Sequence, residues 1–385
     1  MAYDQGEPLI NRQRLLEGFL TMTSISAPSS QEGKLCAALF AQMSALGLEP
    51  YIDDAGVATG GDTGNLWGWL AGNTPGAPRL FFTAHMDSVG PLEQIKPVVR
   101  EGIIYSDGTT TLGGDDKSGI AAILEAVRVL REYDLPHGDL QIFFSIGEES
   151  GCLGTCHMER ERLKADFGYA LDMGGAPGHI VIGAAQQVNI DFVIKGRTAH
   201  GGVNPEEGIN AIMLAAQALA QVTAFGRIDE ETTLNVGTIC GGQATNVVPD
   251  VVTIGCDARS MQASKLTAVV DALVATVVET VTAGGGSVES TVTEGCPLIS
   301  LAADSLPVLL AQTAAHTVGL PTGTGVTGGG SDANFLNGYG LPCAVLATGM
   351  SKIHTTEEFL KEQDLYDTAR WVLAIMRQGA ELAPK

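Results

Sequence analysis

The chain has 385 residues, enough for two domains, and its 45% hydrophobic content with 49 glycines is typical of an α/β enzyme rather than a disordered chain. Its 44 acidic residues outnumber 22 basic ones, and the resulting net charge of −22 would repel nucleic acid and an anionic membrane. Seven cysteines without a C-x-x-C pair indicate free thiols in a reducing compartment. Because we find neither a signal core nor an apolar run of about 20 residues, we expect a cytoplasmic protein with no membrane partner.

The first part of the chain alternates helix and strand signals. Helices are expected at 11–22, 30–46 and 118–133, and strands at 79–84, 140–146 and 167–171. The strands are continuous apolar runs, which are typical of parallel strands covered by helices on both faces. The pattern therefore predicts an α/β domain with a mainly parallel sheet.

The pattern changes near residue 184, where strand signals begin to alternate apolar and polar residues. Strand, helix, two strands, helix and strand are expected at 188–196, 206–225, 233–239, 250–257, 264–283 and 287–293. This βαββαβ order is typical of a small α+β sandwich with one covered sheet face. After Pro297 the earlier alternation resumes, with a strand at 341–347 and a helix at 364–378. We expect a catalytic domain formed by 1–183 and 299–385, interrupted by a smaller domain at 184–298.

Acidic and imidazole side chains follow the apolar strands or open the helix near 118. In chain order they are His85, Asp87, Asp115, Asp116, Glu148, Glu149, Asp172 and His354. Each alone has an ordinary structural explanation, such as a helix cap or a solvated loop. At one edge of a parallel sheet, however, so many carboxylates would repel one another unless divalent cations supplied a counter-charge. The sequence therefore predicts a metal site at this edge.

The ligand types narrow the choice of metal. Imidazole and carboxylate without thiolate suit Zn²⁺, Co²⁺ or Mn²⁺, and two ions about 3.5–4 Å apart need one shared carboxylate. Two histidines and three carboxylates complete such a set: His85, Asp115, Glu149, Asp172 and His354. Among the acids that remain, Glu148 is expected to act as a general base that moves a proton from water to the leaving amine. Asp87 follows His85 by two residues and is expected to accept its ring N–H.

Nine segments resemble, in order, the motifs of dizinc metallopeptidases of the peptidase T-like kind, whose wider family includes carboxypeptidase G, aminoacylase and succinyl-diaminopimelate desuccinylase. The segments are HMD, GGDDKSG, GEESGCLG, ALD, GRTAHGG, GGQATNVVPD with DAR, GGSDANF and IHTTEEF. The resemblance implies a dizinc-exopeptidase fold and two Zn²⁺ per chain. One ion would be held by His85, Asp115 and Asp172, and the other by Asp115, Glu149 and His354.

The resemblance also implies a cis peptide between Asp115 and Asp116 and roles for the inserted domain. His200 would steady the developing oxyanion, often across a dimer interface, and Asn246 and Arg259 would hold a substrate carboxylate or backbone. Such a contact suits the planar, bidentate guanidinium group. The insert is accordingly expected to serve as both lid and homodimer surface. The glycine-rich stretch 322–335 lacks G-K-[ST] and is expected to line the substrate cleft.

These features favour a dizinc aminopeptidase that removes N-terminal residues from short peptides, with Glu148 as the base. Asp172, where deacylases of this family usually carry Glu, favours the aminopeptidase branch. One alternative is a dizinc amidohydrolase or deacylase that acts on N-acyl amino acids or a related small metabolite. Another is a non-catalytic, metal-dependent peptide-binding protein. A panel of tripeptides and N-acetylated amino acids would separate the three.

Overall fold

A computed structural model of the chain describes residues 3–4, 7–8 and 10–384. Within these residues the helices are α1 (Arg12–Thr23), α2 (Gly33–Ala45), α3 (Ala55–Thr59), α4 (Gly114–Tyr133), α5 (Leu153–Cys156), α6 (Ala211–Gln221), α7 (Ala263–Ala283), α8 (Leu306–Thr317), α9 (Asp332–Gly338) and α10 (Glu362–Glu381). Two short 3-10 helices lie at Arg160–Arg162 and Pro205–Glu207.

The strands are β1 (Tyr3–Asp4), β2 (Glu7–Pro8), β3 (Tyr51–Ile52), β4 (Leu66–Leu70), β5 (Leu80–His85), β6 (Val98–Arg100), β7 (Ile103–Tyr105), β8 (Leu140–Ser145), β9 (Phe167–Met173), β10 (His179–Ala184), β11 (Gln186–Lys195), β12 (Ala199–His200), β13 (Gly226–Arg227), β14 (Thr232–Gly241), β15 (Val247–Val248), β16 (Val251–Ser260), β17 (Ser287–Glu294), β18 (Ile299–Ser300), β19 (Gly323–Thr327), β20 (Cys343–Ala347) and β21 (Phe359–Lys361).

The chain divides into two compact units, residues 1–183 with 299–385, and residues 184–298. These are the ranges that the change in strand pattern suggests, while the roles of catalytic domain, lid and dimer surface stay predictions. The larger unit is built on a nine-stranded sheet with the order β18-β10-β20-β9-β5-β8-β4-β3, and β19 pairs with β10. Strands β20, β9, β5 and β8 run parallel to one another, which confirms the mainly parallel α/β fold.

Helices cover both faces of this sheet, and its strands β5, β8 and β20 are buried along their whole length. All six residues of β5 are buried. Phe82 lies against Tyr169, with 5.6 Å between the ring centroids, and Phe81 lies against Phe143 at 5.7 Å on the opposite face. This two-sided burial explains why the parallel strands appear in the sequence as unbroken apolar runs.

The smaller unit contains a five-stranded antiparallel sheet with the order β13-β14-β16-β11-β17. Along β11 the buried residues Ile190, Phe192 and Ile194 alternate with exposed or half-buried ones. Helices α6 and α7 pack on this sheet. The residues that α7 buries recur at helical spacing, namely Leu266, Val270, Leu273, Val277 and Val281. The unit is therefore the expected α+β sandwich with one covered face.

Helix α7 is also the one helix among the described residues that is long and apolar enough, by length and composition, to cross a membrane. Its buried face contacts β11, β14, β16 and β17. The helix also carries Lys265, Asp271 and Glu279. We therefore interpret it as the core helix of the smaller unit.

Two helices, α4 and α6, begin four and five residues from the expected positions. Helix α4 begins at Gly114 rather than 118, but Asp115 and Asp116 have non-helical backbone angles and regular helix geometry begins after them. Helix α6 begins at Ala211 rather than 206, because a turn at Pro205–Glu207 precedes it and the Asn210 side chain caps it by accepting the Met213 N–H.

Candidate metal centre

The predicted ligands of the larger unit lie at the carboxyl ends of its parallel strands. His85 ends β5, Glu149 follows β8, and Asp172 lies near the end of β9. Asp115 lies at the start of α4, and His354 lies in the loop after β20. Because parallel strands end at the same edge of a sheet, their distant sequence positions meet in space.

Asp115 lies between the two histidines. Its Oδ1 is 3.1 Å from His85 Nε2, and its Oδ2 is 3.1 Å from His354 Nε2. Asp172 Oδ1 lies 3.8 Å from His85 Nε2, and Glu149 Oε1 lies 2.8 Å from His354 Nε2. Each imidazole thus faces the shared carboxylate and one further carboxylate, and the structure brings all five predicted ligands together.

The donor set fits divalent cations. Two ligands bound tetrahedrally to one Zn²⁺ are separated by about 3.3 Å, which lies within the range of the distances above. Ligand atoms of His85, Asp115 and Glu149 lie within 4.8 Å of one another, as do those of His85, Asp116 and Asp172. Asp116 belongs to the second of these groups, and its Oδ2 is buried without a hydrogen-bond partner. A ligand role for Asp116 was not predicted from the sequence. The peptide bond between Asp115 and Asp116 is cis, as the resemblance implies.

Without a bound cation, the clustered carboxylates have too few positively charged partners to remain fully ionised. Burial raises the pKa of Asp172 to about 8, and burial followed by the charge of Asp172 raises that of Glu148 well above its ordinary value. The hydrogen bond to Asp115, followed by the contact with the Glu149 carboxylate, raises the pKa of His354 to about 10. Burial alone would raise the pKa of Asp115, but its hydrogen bonds to both histidines lower it instead. Without a cation, the cluster therefore retains protons at neutral pH.

We expect metal binding to displace these protons and to strengthen as the pH rises toward the raised pKa values of about 8 for Asp172 and about 10 for His354, since ligands bind in their deprotonated forms. A group with a raised pKa, such as Asp172, is protonated at pH 7 and must ionise before it can coordinate. Titrating metal-free protein with Zn²⁺ in two buffers of different ionisation enthalpy measures the number of protons released. Equal heats in both buffers would contradict the expectation.

The Asp87 carboxylate holds the segment that carries Glu148 and Glu149. Its Oδ1 accepts the Glu148 N–H at 3.0 Å, and its Oδ2 accepts the Glu149 N–H at 3.2 Å and the Ser29 hydroxyl at 2.6 Å. His85 Nδ1 lies 3.0 Å from the backbone oxygen of Asp87 and 3.5 Å from its carboxylate. The expected contact with the imidazole is therefore shared with the backbone carbonyl, and the hold on the loop was not anticipated from the sequence.

Glu32 adds a second hold on the same loop. Its Oε1 accepts the Gly147 N–H at 2.9 Å and the Ser30 N–H at 3.1 Å, while Oε2 is buried without a hydrogen-bond partner. Burial, followed by the charge of Asp87, raises the pKa of Glu32 to about 7. Sequence reasoning missed this residue because an acid at a helix start is ordinarily a solvated first-turn residue.

We expect Glu32→Gln to stabilise the metal-free protein at about pH 8 by about 1–3 kcal/mol, with little effect at about pH 4.5. The amide oxygen can accept both N–H groups, and the side chain no longer ionises. Because the folded-state pKa is raised, the stability contributed by protonated Glu32 is complete below its ordinary value of 4.5 and is lost as the pH rises through about 7. Urea unfolding at both pH values measures this, with exposed Glu49→Gln as the control. An equal change at both pH values would contradict the assignment.

Glu148 lines a cleft of about 370 Å³ together with four predicted ligands, Asp115, Glu149, Asp172 and His354. Thr327, Gly329, Gly330 and Ser331 also line it, as expected for the glycine-rich stretch. The apolar lining residues are Met173, Val345, Met350 and Ile353. Asp332 was not assigned a role, yet its buried Oδ2 accepts a hydrogen bond from Ser145 and its Oδ1 has no partner. The only signal for it was its position in the GGSDANF motif.

The remaining predicted residues belong to the smaller unit. His200 is exposed on β12, which pairs with β15, and the Gly201 N–H donates to the Asn246 backbone oxygen at 2.8 Å, so His200 and Asn246 lie near each other. Arg259 lies on β16, where its guanidinium group pairs with Asp257 at 2.9 Å. The roles of these three residues stay predictions.

The chain is similar to known peptidases over nearly its whole length. Residues 81–378 match peptidase family M20/M25/M40. The solved structure of aminopeptidase PepT from Bacillus cereus ATCC 10987 is 40% identical with a TM-score of 0.90, and a tripeptidase from Staphylococcus aureus subsp. aureus Mu50 is 38% identical with a TM-score of 0.92. Each comparison covers 97% of this chain and 100% of the other. YqjE, an uncharacterised protein of Bacillus subtilis strain 168, is 40% identical over 97% of this chain and 100% of its own length.

The family match covers more than half of the chain, and the three full-length relatives agree with it. The family match confirms the resemblance drawn from the ordered motifs. The imidazole and carboxylate groups at the sheet edge form a candidate metal site. The chain therefore belongs to peptidase family M20/M25/M40 and is a metallopeptidase.

Proposed function

We propose that this metallopeptidase is an aminopeptidase that removes N-terminal residues from short peptides, with Glu148 as its general base. The observation that carries the proposal is Asp115, whose two oxygens face different imidazoles in a cleft that Glu148 also lines. The similarity to an aminopeptidase and to a tripeptidase over nearly the full length of each supports the choice of peptides as substrates.

We assign two Zn²⁺ per chain to the centre, with Co²⁺ or Mn²⁺ as alternatives. His85, Asp115 and Asp172 would hold one ion, and Asp115, Glu149 and His354 would hold the other. When bound, such ions supply Lewis acidity that polarises the scissile carbonyl and makes water a better nucleophile near neutral pH. Imidazole and carboxylate ligands without thiolate support this choice of metals.

Glu148 performs the proton transfers in this proposal. Its carboxylate takes a proton from the attacking water and returns it to the leaving amine nitrogen. Its burial supports the role, because a raised pKa makes the carboxylate a stronger base than a solvated one. The N–H groups of Glu148 and Glu149 are fixed by Asp87, so that the base and a ligand on the same loop are held together.

In the smaller unit we assign His200 to the oxyanion. Its Nδ1 accepts the Gly202 N–H at 3.2 Å, which leaves the proton of a neutral ring on Nε2 as a hydrogen-bond donor. Asn246 and Arg259 would hold the carboxylate or backbone of the peptide, a task suited to an amide and a guanidinium group. With this division of roles, we propose that the inserted unit serves as a lid.

Kinetics on a small substrate panel test the proposal. Tripeptides that begin with Ala, Leu or Met should be hydrolysed, and blocking their N-terminal amine by acetylation should abolish cleavage. Faster hydrolysis of N-acetylated amino acids would instead establish the deacylase alternative. Bound metal without hydrolysis of any amide in the panel would favour the peptide-binding alternative.

We further propose a cytoplasmic homodimer that forms through the inserted unit. Supporting this, the unit exposes several large apolar side chains: Val203, Ile212, Met213, Ile239, Val247 and Val251. No disulfide is recorded among the described residues, which suits a reducing compartment. The net charge of −22 opposes binding to nucleic acid.

Mixed dimers test the dimer together with the role of His200. If His200 acts across the interface, mixing the inactive Glu148→Gln and His200→Ala proteins should restore part of the activity, because a mixed dimer contains one intact site. Sedimentation that shows a fully active monomer would contradict the dimer.

A further inference from the structure

The buried carboxylate of Glu358 accepts hydrogen bonds from four consecutive backbone N–H groups. Its Oε2 accepts those of Leu112 and Gly113 at 2.8 and 2.9 Å, and its Oε1 accepts those of Gly114 and Asp115 at 2.8 and 3.1 Å. The side chain is 2% exposed, although the neighbouring Glu357 is solvent-exposed. One carboxylate thus satisfies every backbone donor from Leu112 to Asp115.

These donors need an acceptor because they lie where α4 begins. The first N–H groups of a helix have no intrahelical partner, and the non-helical angles at Asp115 and Asp116 remove the regular pattern here. Gly113 has a φ of +68°, a left-handed conformation that favours glycine and that turns the segment toward Glu358. A carboxylate suits four donors because it offers two acceptor atoms with four lone pairs, whereas an amide or a hydroxyl group offers one acceptor atom.

Glu358 also belongs to the loop that carries His354. Backbone hydrogen bonds between Ser351 and Phe359, at 3.0 and 3.1 Å, close this loop at its base. The loop therefore contacts Asp115 twice, through His354 Nε2 at the side chain and through Glu358 at the backbone N–H. Both contacts come from a span of five residues.

The carbonyl side of Asp115 is fixed as well. Ser88 Oγ donates to the Asp115 backbone oxygen at 3.1 Å, and the buried Lys117 Nζ donates to Ser88 Oγ at 3.2 Å. Lys117 holds Ser88, and Ser88 holds the backbone carbonyl of Asp115. Glu358 holds the backbone N–H of Asp115, so both sides of the Asp115 backbone are restrained. These contacts resist a rotation of Asp115, which would move one of its carboxylate oxygens away from a histidine.

We propose that Glu358 is a positioning residue that holds the backbone of Asp115 in register with His354 and so sets the affinity of the centre for its metal ions. It does so without coordinating an ion itself, and the assignment rests on the proposed ligand roles of Asp115 and His354. A glutamine at this position would retain the shape but offer one acceptor atom to four donors, and its NH₂ group would face N–H groups.

The test compares Glu358→Gln with Glu357→Gln, a matched change at the adjacent exposed position, whose partner is Lys352 at 2.5 Å. Metal-free wild type and both variants are titrated with Zn²⁺ by calorimetry, and their thermal unfolding is recorded without metal. We expect the affinity of Glu358→Gln for Zn²⁺ to fall about 10- to 100-fold, the range seen when groups that orient metal ligands are removed. Glu357→Gln should bind as wild type does.

Glu358→Asp distinguishes the effect of the carboxylate from that of side-chain length, because it keeps the carboxylate but shortens the side chain by one methylene. Its affinity for Zn²⁺ is expected to lie between those of wild type and Glu358→Gln. A folded Glu358→Gln protein that binds both ions with wild-type affinity would overturn the proposal, even if its melting temperature fell. Should Glu358→Gln not fold, unchanged affinity in Glu358→Asp would overturn it equally. Wild type that binds fewer than two ions would instead refute the proposed metal centre.

Discussion

Replacing Glu148 with glutamine is expected to lower the turnover of a short peptide by about two to four orders of magnitude while both metal ions stay bound. Glutamine has nearly the same shape but cannot accept and return a proton. The metal ions should remain because Glu148 is not among the five predicted ligands. The loop should also remain in place, since Asp87 holds it through the N–H groups of Glu148 and Glu149, which the substitution leaves unchanged.

The measurement pairs steady-state kinetics on a tripeptide with metal analysis of the same sample. Because chemistry should be impaired more than binding, the loss should appear in kcat rather than in KM. Glu161→Gln, a change at an exposed acid, is the control for a general effect of removing a negative charge. Hydrolysis by Glu148→Gln at a near-normal rate, with both ions present, would show that another group is the base.

The substitution Asp115→Asn is expected to abolish binding of both ions, whereas Asp172→Asn should leave one ion bound. The difference follows from geometry, since Asp115 presents one oxygen to His85 and the other to His354. Asparagine has a single oxygen, and its NH₂ group would point at one of the imidazoles. Of the two imidazoles, that of His85 is the one paired with Asp172, at 3.8 Å, so loss of Asp172 should affect one ion.

Counting Zn²⁺ per chain after equilibration and removal of excess metal measures this difference. The wild type should retain two ions, Asp172→Asn one, and Asp115→Asn none, and both variants should lose activity. Thermal unfolding gives a second readout, because an ion that binds only the folded state at 100 times its Kd adds about 2.7 kcal/mol to the free energy of unfolding. Two ions retained by Asp115→Asn would show that Asp115 is not shared.

Most of the fold follows from patterns that the sequence displays openly. The apolar runs at β5, β8 and β9 are continuous because both sheet faces are covered, and the alternation along β11 reflects a single covered face. The antiparallel strands at the flanks were less visible. The five-residue run LWGWL of β4 carries little periodicity and a glycine, and it is buried because it pairs with β8 rather than because of its own pattern.

The candidate ligands could be proposed from the sequence because metal chemistry requires particular residue types at strand ends. Glu32 and Glu358 could not be found in this way, because each is an acid within a polar stretch and resembles a solvated one. Their importance depends on partners far away in sequence, such as the N–H groups of residues 112–115, which are over 240 positions from Glu358. Backbone donors carry no sequence signature, so only the folded chain shows which carboxylate they meet.

By itself, the sequence determined the α/β class, the position at which the strand pattern changes and the residue types of the candidate metal centre, because periodicity and ligand chemistry are local properties of the chain. The tertiary structure alone decided that the predicted ligand acids lie beside the imidazoles and which other acids hold the loops that carry them. The physical reason is that a carboxylate acquires its role from what surrounds it once water is removed, and that environment is assembled only by folding.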